Sequence, residues 1–139
     1  TRFANRKHLA RAVLESTAYQ TRDVADAMVA DSGVEITELR VDGGMTMNEL
    51  LMQFQADMLG VEVHRPKNIE TTATGAAFAA GLDHGFWDDL SVLGSQTGDM
   101  KVFKPKREKE EVEGLYRDWK RAIKRSLEWE DNEDEDLNI

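Results

Sequence analysis

At 139 residues, 40% of them hydrophobic and 32% charged, the chain is of single-domain size and reads as soluble and globular, with a real core. It has no cysteine, which excludes disulfides and thiolate metal sites and fits a reducing compartment, with the cytoplasm expected. Its net charge of −9 is unevenly spread, and with neither a membrane-length apolar run nor a secretory signal, no stable membrane insertion is expected.

In chain order, residues 6–31 hold only strong or neutral helix formers. Ala10, Leu14, Ala18, Thr21, Ala25 and Met28 recur at spacings of three and four, which predicts a long helix packed through small residues. Asn5 is the expected N-cap and Gly33 the C-cap. Ile36 to Val41 reads as a short strand stopped by DGG. Met47, Leu50, Leu51, Phe54 and Met58 mark a second helix, ended by Gly60. VEVHRP alternates apolar and polar residues and closes at Pro66, so a short strand near a sheet edge is expected. TTATGAAFAAG is a third helix, capped by Thr71 or Thr72. An interior glycine costs about 1 kcal/mol against alanine, so Gly75 is expected to permit close backbone contact.

Residues 83–100 are loop-rich, with HGFWDDL as a turn into a short helix, and VFKP is a last extended piece. Val112, Leu115, Tyr116, Trp119, Ile123 and Leu127 form the apolar face of a C-terminal helix. Residues 101–127 carry ten basic and five acidic side chains, whereas EWEDNEDEDLNI carries seven acids and no base. The acidic end, 131–139, is expected to stay solvated and disordered. In KPKREKEEVEG glutamates interleave with the basic residues, as on a solvated helix face laced with ion pairs, so nucleic acid is not an expected partner. The order of elements predicts a layered α/β fold, with too few strands for a complete sheet.

The only adjacent glycine pair lies in VDGGMTMN, at the carboxyl end of the first strand, where open α/β sheets bind ligands. Gly43 and Gly44 can adopt positive φ and let a ligand touch the backbone. The helix opening near Thr46 to Asn48 offers free N–H groups and a partial positive charge. The Asn48 amide has the donors and acceptor that an adenine edge requires. Yet a strand-to-helix turn often needs a glycine for its own geometry. The pattern is neither the three-glycine dinucleotide fingerprint nor the lysine-bearing phosphate loop, and local chemistry leaves punctuation and nucleotide contact both open. His8, His64 and His84 lack metal-ligand spacing. Asp88 and Asp89 suit a helix start, while Trp87 and Trp119 suit packing.

LRVDGGMTMNELLMQFQADMLGVEVHRP, followed by ETTATGAAFAAGL, closely resembles the C-terminal domain of the glycerol kinases, in the carbohydrate kinase family with actin-like ATPase domains. ARAVLESTAYQTRDVADAM upstream, and GFW and YRDWKRAIKRSLEWE downstream, extend the resemblance over residues 1–130. It implies part of an actin-like, ribonuclease H-like α/β domain, with a few-stranded sheet flanked by helices and a C-terminal helix. It further implies ATP or ADP with Mg²⁺, and glycerol, as ligands of a full-length and homo-oligomeric enzyme that converts glycerol to glycerol 3-phosphate. On this match DGGMTMN is the adenosine motif. Gly44 lies against the nucleotide, Asn48 meets the adenine and Gly43 allows the turn, with Asp42 as a buttress and Gly75 packed behind.

In that family the catalytic aspartate, the glycerol-binding residues, the phosphate-holding residues and most of the metal's surroundings lie upstream of the matching segment. No residue here is therefore assigned a catalytic or metal role, and the chain alone is expected to be inactive. A start at Thr1 instead of Met is read as a segment of something longer. Two alternatives stand beside this reading: another sugar or polyol kinase of the family, and a folded segment acting only as a binding or oligomerisation module. KPKREKEEVEG departs from bacterial relatives in which that region joins regulatory protein binding, which puts such regulation in question.

Overall fold

The structure, a computed structural model, describes residues 2–89, 91 and 99–127. The expected acidic tail at 131–139, Trp129 and most of the segment after HGFWDDL lie outside the described residues. The elements are helix α1 (Arg6–Ser32), strand β1 (Glu38–Arg40), a 3₁₀ turn (Gly44–Met47), α2 (Glu49–Leu59), β2 (Glu62–Pro66), α3 (Thr71–Asp83), β3 (Met100–Phe103) and α4 (Lys109–Ser126). The chain divides into two compact units between Arg107 and Glu108.

Helix α1 begins and ends where its caps require. Asn5 accepts from the Lys7 amide at 3.0 Å, and the His8 ring accepts from the Asn5 amide at 3.2 Å, a reciprocal cap with histidine in place of glutamate. Gly33 turns left-handed and closes the helix onto the Val29 carbonyl at 2.9 Å. Only Ala18 and Ala25 of α1 are buried. They lie two turns apart on one face, which packs on α2, with Tyr19 edge-on to Phe54 at 5.4 Å. Small residues thus permit the close approach, but only along the middle of α1. Ala10 and Met28, expected on the same face, are exposed.

Helix α2 carries the core. Seven of its 11 residues are buried, among them Leu51, Met52, Phe54 and Met58, and each such large side chain contributes about 1.5–3 kcal/mol. Met47 and Leu50, expected on this stripe, are exposed. Met47 belongs to the 3₁₀ turn, where three residues per turn break the phase of the following α-helix. The buried Asp57 carboxylate accepts from Gln53 at 3.0 Å and from the Lys106 amide at 2.7 Å, and Arg107 stands 3.4 Å away. Left unpaired, such a group would cost several kcal/mol. The start of the basic stretch is therefore a clasp on α2, not the solvated helix face expected from its composition.

The sheet runs β1-β2-β3, with β1 parallel and β3 antiparallel to β2. Val63 pairs with both Leu39 and Phe103. The expectation that VEVHRP lies near an edge is overturned, since β2 is the middle strand. Pro66 is its last residue, opposite Met100, and one further bond, from the Lys67 amide to the Asp99 carbonyl at 3.1 Å, closes the pairing beyond it. β1 is three residues long, shorter than expected, although the Val41 amide still donates to the His64 carbonyl at 3.0 Å.

In α3 the expected threonine cap is absent: Glu70 is the N-cap and makes no side-chain bond. Thr71 bonds to Asp42 instead. The helix ends on Gly85 at φ 73°, with the Phe86 amide donating to the Gly81 carbonyl at 2.8 Å and Gly85 to Leu82 at 3.1 Å. Gly75, expected to permit close contact, has nothing within 4 Å of where a Cβ would stand. The close contact is at Gly81, where a Cβ would lie 2.1 Å from the Trp87 ring. Trp87 is held edge-on between Phe78 at 5.2 Å and Phe86 at 4.9 Å, the packing role expected of it.

The second unit is built on α4. Glu110 and Glu111 stand in its first turn and Lys124 and Arg125 in its last, each complementing the helix dipole. Asp118 and Arg121 pair at 3.0 Å. No described helix is long and apolar enough to cross a membrane.

Candidate functional site

The glycine turn leaves β1 at its carboxyl end and is tied on both sides. The Gly43 amide donates to the Ile69 carbonyl at 2.9 Å, and Asp42 accepts from the Thr71 hydroxyl. Both bonds join the turn to the segment that opens α3. Gly43 has φ 84° and ψ 168°, a conformation that a side chain would resist. Its carbonyl accepts from the Thr46 amide at 3.1 Å and the Thr46 hydroxyl at 2.7 Å, and Thr46 is buried.

Asn48 sits in an extended conformation as the N-cap of α2, with Oδ1 accepting from the Leu51 amide at 3.1 Å. That bond engages the amide oxygen of the side chain. The residue is exposed, as are Met45 and Met47. Gly44 differs from Gly43: its φ is not positive, and nothing lies within 4 Å of the place a Cβ would take. Neither backbone geometry nor any described neighbour demands glycine there.

A residue that sequence reasoning missed holds the turn from behind. Arg65, on β2, donates from Nη1 to the Thr46 carbonyl at 2.6 Å. Its Nη2 lies 3.9 Å from Glu49, and its guanidinium stands 5.5 Å from the centre of the Phe103 ring. Glu49, in the first turn of α2, also bonds Lys101, which together with Arg65 holds its carboxyl below the usual carboxylate range. The signal was present in the strand: Arg65 shares the face of buried Val63, an inward position that a cation occupies only when it is satisfied.

On the other side of the turn an open groove of about 340 Å³ runs between the strands and α3, lined by Arg40, Asp42, His64, Thr71, Gly75 and Phe78 among others. His64 stands 3.1 Å from Glu62 and 3.8 Å from Glu38. Among the described residues no group of three or more His, Asp or Glu side chains is placed to hold a metal ion.

Residues 2–83 match the C-terminal domain of the FGGY family of carbohydrate kinases. The chain is 64% identical, over 97% of its length, to glycerol kinase of Corynebacterium kroppenstedtii, and 58% identical, over 96%, to that of Paenarthrobacter aurescens. It spans 26% of the length of each of these relatives. Among solved structures, Plasmodium falciparum glycerol kinase with ADP matches at TM-score 0.78 and 35% identity, over 91% of this chain and 26% of that one. Xylulose kinase from Rhodospirillum rubrum matches at TM-score 0.69 and 28% identity, with the same coverage.

Proposed function

The chain belongs to the FGGY family of carbohydrate kinases, and on that premise we propose that it forms the adenosine side of the ATP cleft of a glycerol kinase. The observation that carries this reading is Gly44. It is a glycine that its own backbone and its described neighbours do not require, at the carboxyl end of a strand and one turn before a helix N-terminus. A nucleotide laid against that backbone accounts for the missing Cβ. Gly43 permits the turn, and the Asn48 amide donors face the adenine while its oxygen caps α2. Glycerol as the acceptor is supported by the relatives at 64% and 58% identity, against 28% for the xylulose kinase.

Phosphoryl transfer rests on positioning the γ-phosphate and stabilising its charge. Mg²⁺ supplies part of that stabilisation in such kinases. This segment's contribution is binding: it holds the purine end so that the phosphates reach groups elsewhere in the enzyme. A coupled assay on the full-length kinase carrying this segment tests the reading. Glycerol-dependent ADP release is expected, with Asn48→Ala raising the KM for ATP about tenfold and leaving that for glycerol unchanged. Absence of glycerol-dependent turnover, or an unchanged KM for ATP in the variant, defeats the proposal. The 139-residue chain alone is expected to show no turnover.

A further inference from the structure

We propose that Arg65 is a positioning residue for the nucleotide, holding the Gly44–Met47 turn in the register that presents Gly44 and Asn48. The inference rests on the adenosine-side reading of that turn. Arg65 touches no part of the proposed nucleotide contact itself. It acts through the Thr46 carbonyl, which it binds at 2.6 Å.

Three observations fix the guanidinium. Its side chain is only 12% exposed, so the charge is largely withdrawn from water and must be satisfied by fixed partners. Those partners lie on three elements: the Thr46 carbonyl in the turn, the Glu49 carboxylate in α2 and the Phe103 ring on β3. Arg65 itself belongs to the middle strand, paired on both sides, where Arg65 stands opposite Lys101. The most firmly paired strand of the sheet is thereby linked to the turn beside the proposed ligand.

The turn needs such a tie. Its own bonds run between Gly43 and Asn48, and the bonds from Asp42 and Gly43 lead to the segment at Ile69–Thr71. The bond from Arg65 reaches the central strand instead. A planar fork is suited to the task. One donor bonds the Thr46 carbonyl while the same planar group keeps its charge 3.9 Å from the Glu49 carboxylate, whereas a lysine ammonium offers one flexible point charge. Charge-assisted bonds of this kind are about twice as strong as neutral ones.

A residue that positions the adenosine contact should change the affinity for ATP, not the chemical step. The purine end interacts equally in the ground and transition states, so its loss raises KM with little effect on kcat. In the full-length kinase, Arg65→Met is expected to raise the KM for ATP about tenfold, with kcat and the KM for glycerol within about twofold of the parent. Arg65→Lys is expected to raise it about threefold, because one donor remains. A merely structural role would reduce the active fraction, lowering kcat with both KM values unchanged, and that result overturns the proposal. If Arg65→Met is insoluble, Arg65→Lys decides: an unchanged KM for ATP overturns the inference and a raised one supports it. Asn48→Ala, measured alongside, separates the two layers. A raised KM in Asn48→Ala with none in either Arg65 variant defeats the positioning role alone. No change in any of the three defeats the adenosine-side reading and the inference with it.

Discussion

Helices α2 and α3 each follow a strand and each is rich in apolar residues, yet α2 buries seven of 11 residues and α3 none of 13. The difference lies in the side chains. α2 presents Leu51, Phe54 and Met58, long enough to reach α1 on one side and the sheet on the other. α3 presents mostly alanine and glycine, which cannot reach across a gap, and its largest ring, Phe78, meets the Trp87 that folds back over the helix end. Apolar composition thus marks a helix that tolerates burial, while side-chain length decides whether its neighbours in the same chain can supply it.

The sharpest way to break the comparison is the same truncation in both helices. Phe54→Ala removes a ring that is buried to 4% exposure, touched by Tyr19 and lying under Arg107, and is expected to cost about 3–5 kcal/mol. Phe78→Ala removes a half-buried ring with one described aromatic partner, and should cost about 1 kcal/mol. Urea midpoints of the two variants measure this directly. Equal losses would show that α3 is as firmly packed as α2.

A smaller effect distinguishes two glycines within α3. Gly81→Ala drives a methyl group into the Trp87 ring and should cost about 1–3 kcal/mol, since the ring is confined by Phe78 and Phe86. Faster hydrogen exchange at the Gly85 and Phe86 amides, which close the helix end, would accompany it. Gly75→Ala has no described neighbour to meet and should stabilise the helix by up to about 1 kcal/mol. Thermal unfolding of both variants reads opposite signs if the two glycines differ in this way.

These pairs also mark how far the sequence could be read. The ends of α1 and α2 were legible because caps are local: Asn5, Gly33 and Gly60 act within a few residues of themselves. The place of the glycine turn was legible for the same reason. The choice between Gly75 and Gly81 was not, because it depends on where Trp87 returns in space. Nor was the central position of β2, which depends on β3 arriving more than thirty residues later. Within the candidate site, Gly43 and Asn48 lay in a contiguous motif, while Arg65 and the Asp42–Thr71 bond join positions far apart in the chain. The proposal of a nucleotide there was reachable only through the family resemblance, since two glycines and an amide are compatible with any strand-to-helix turn.

The smallest expected effect concerns pH, and it involves one carboxylate in the first turn of α2 and one on β2. Hydrogen bonding to Lys101 lowers the Glu49 pKa, and hydrogen bonding to Lys104, then to His64, lowers that of Glu62. A depressed carboxylate pKa means that the folded state binds its proton less readily than the unfolded chain does. The stabilisation from both groups is therefore complete above the unfolded value of about 4.3, and is lost as pH falls from there through the lower folded values. Both carboxylates are solvent-accessible, so the loss is modest and shrinks in salt. Unfolding midpoints should be insensitive to these groups from about pH 6 to 8, roughly two to four units above that value. Below about pH 4 they should fall, and Lys104→Met should make that acid limb shallower by removing the largest cause of the Glu62 shift. Because the Lys104 pKa is in turn raised by Glu62, the variant loses a pair in which each partner favours the charged form of the other. An acid limb unchanged by Lys104→Met would show that the Glu62–Lys104 pair does not set the acid sensitivity.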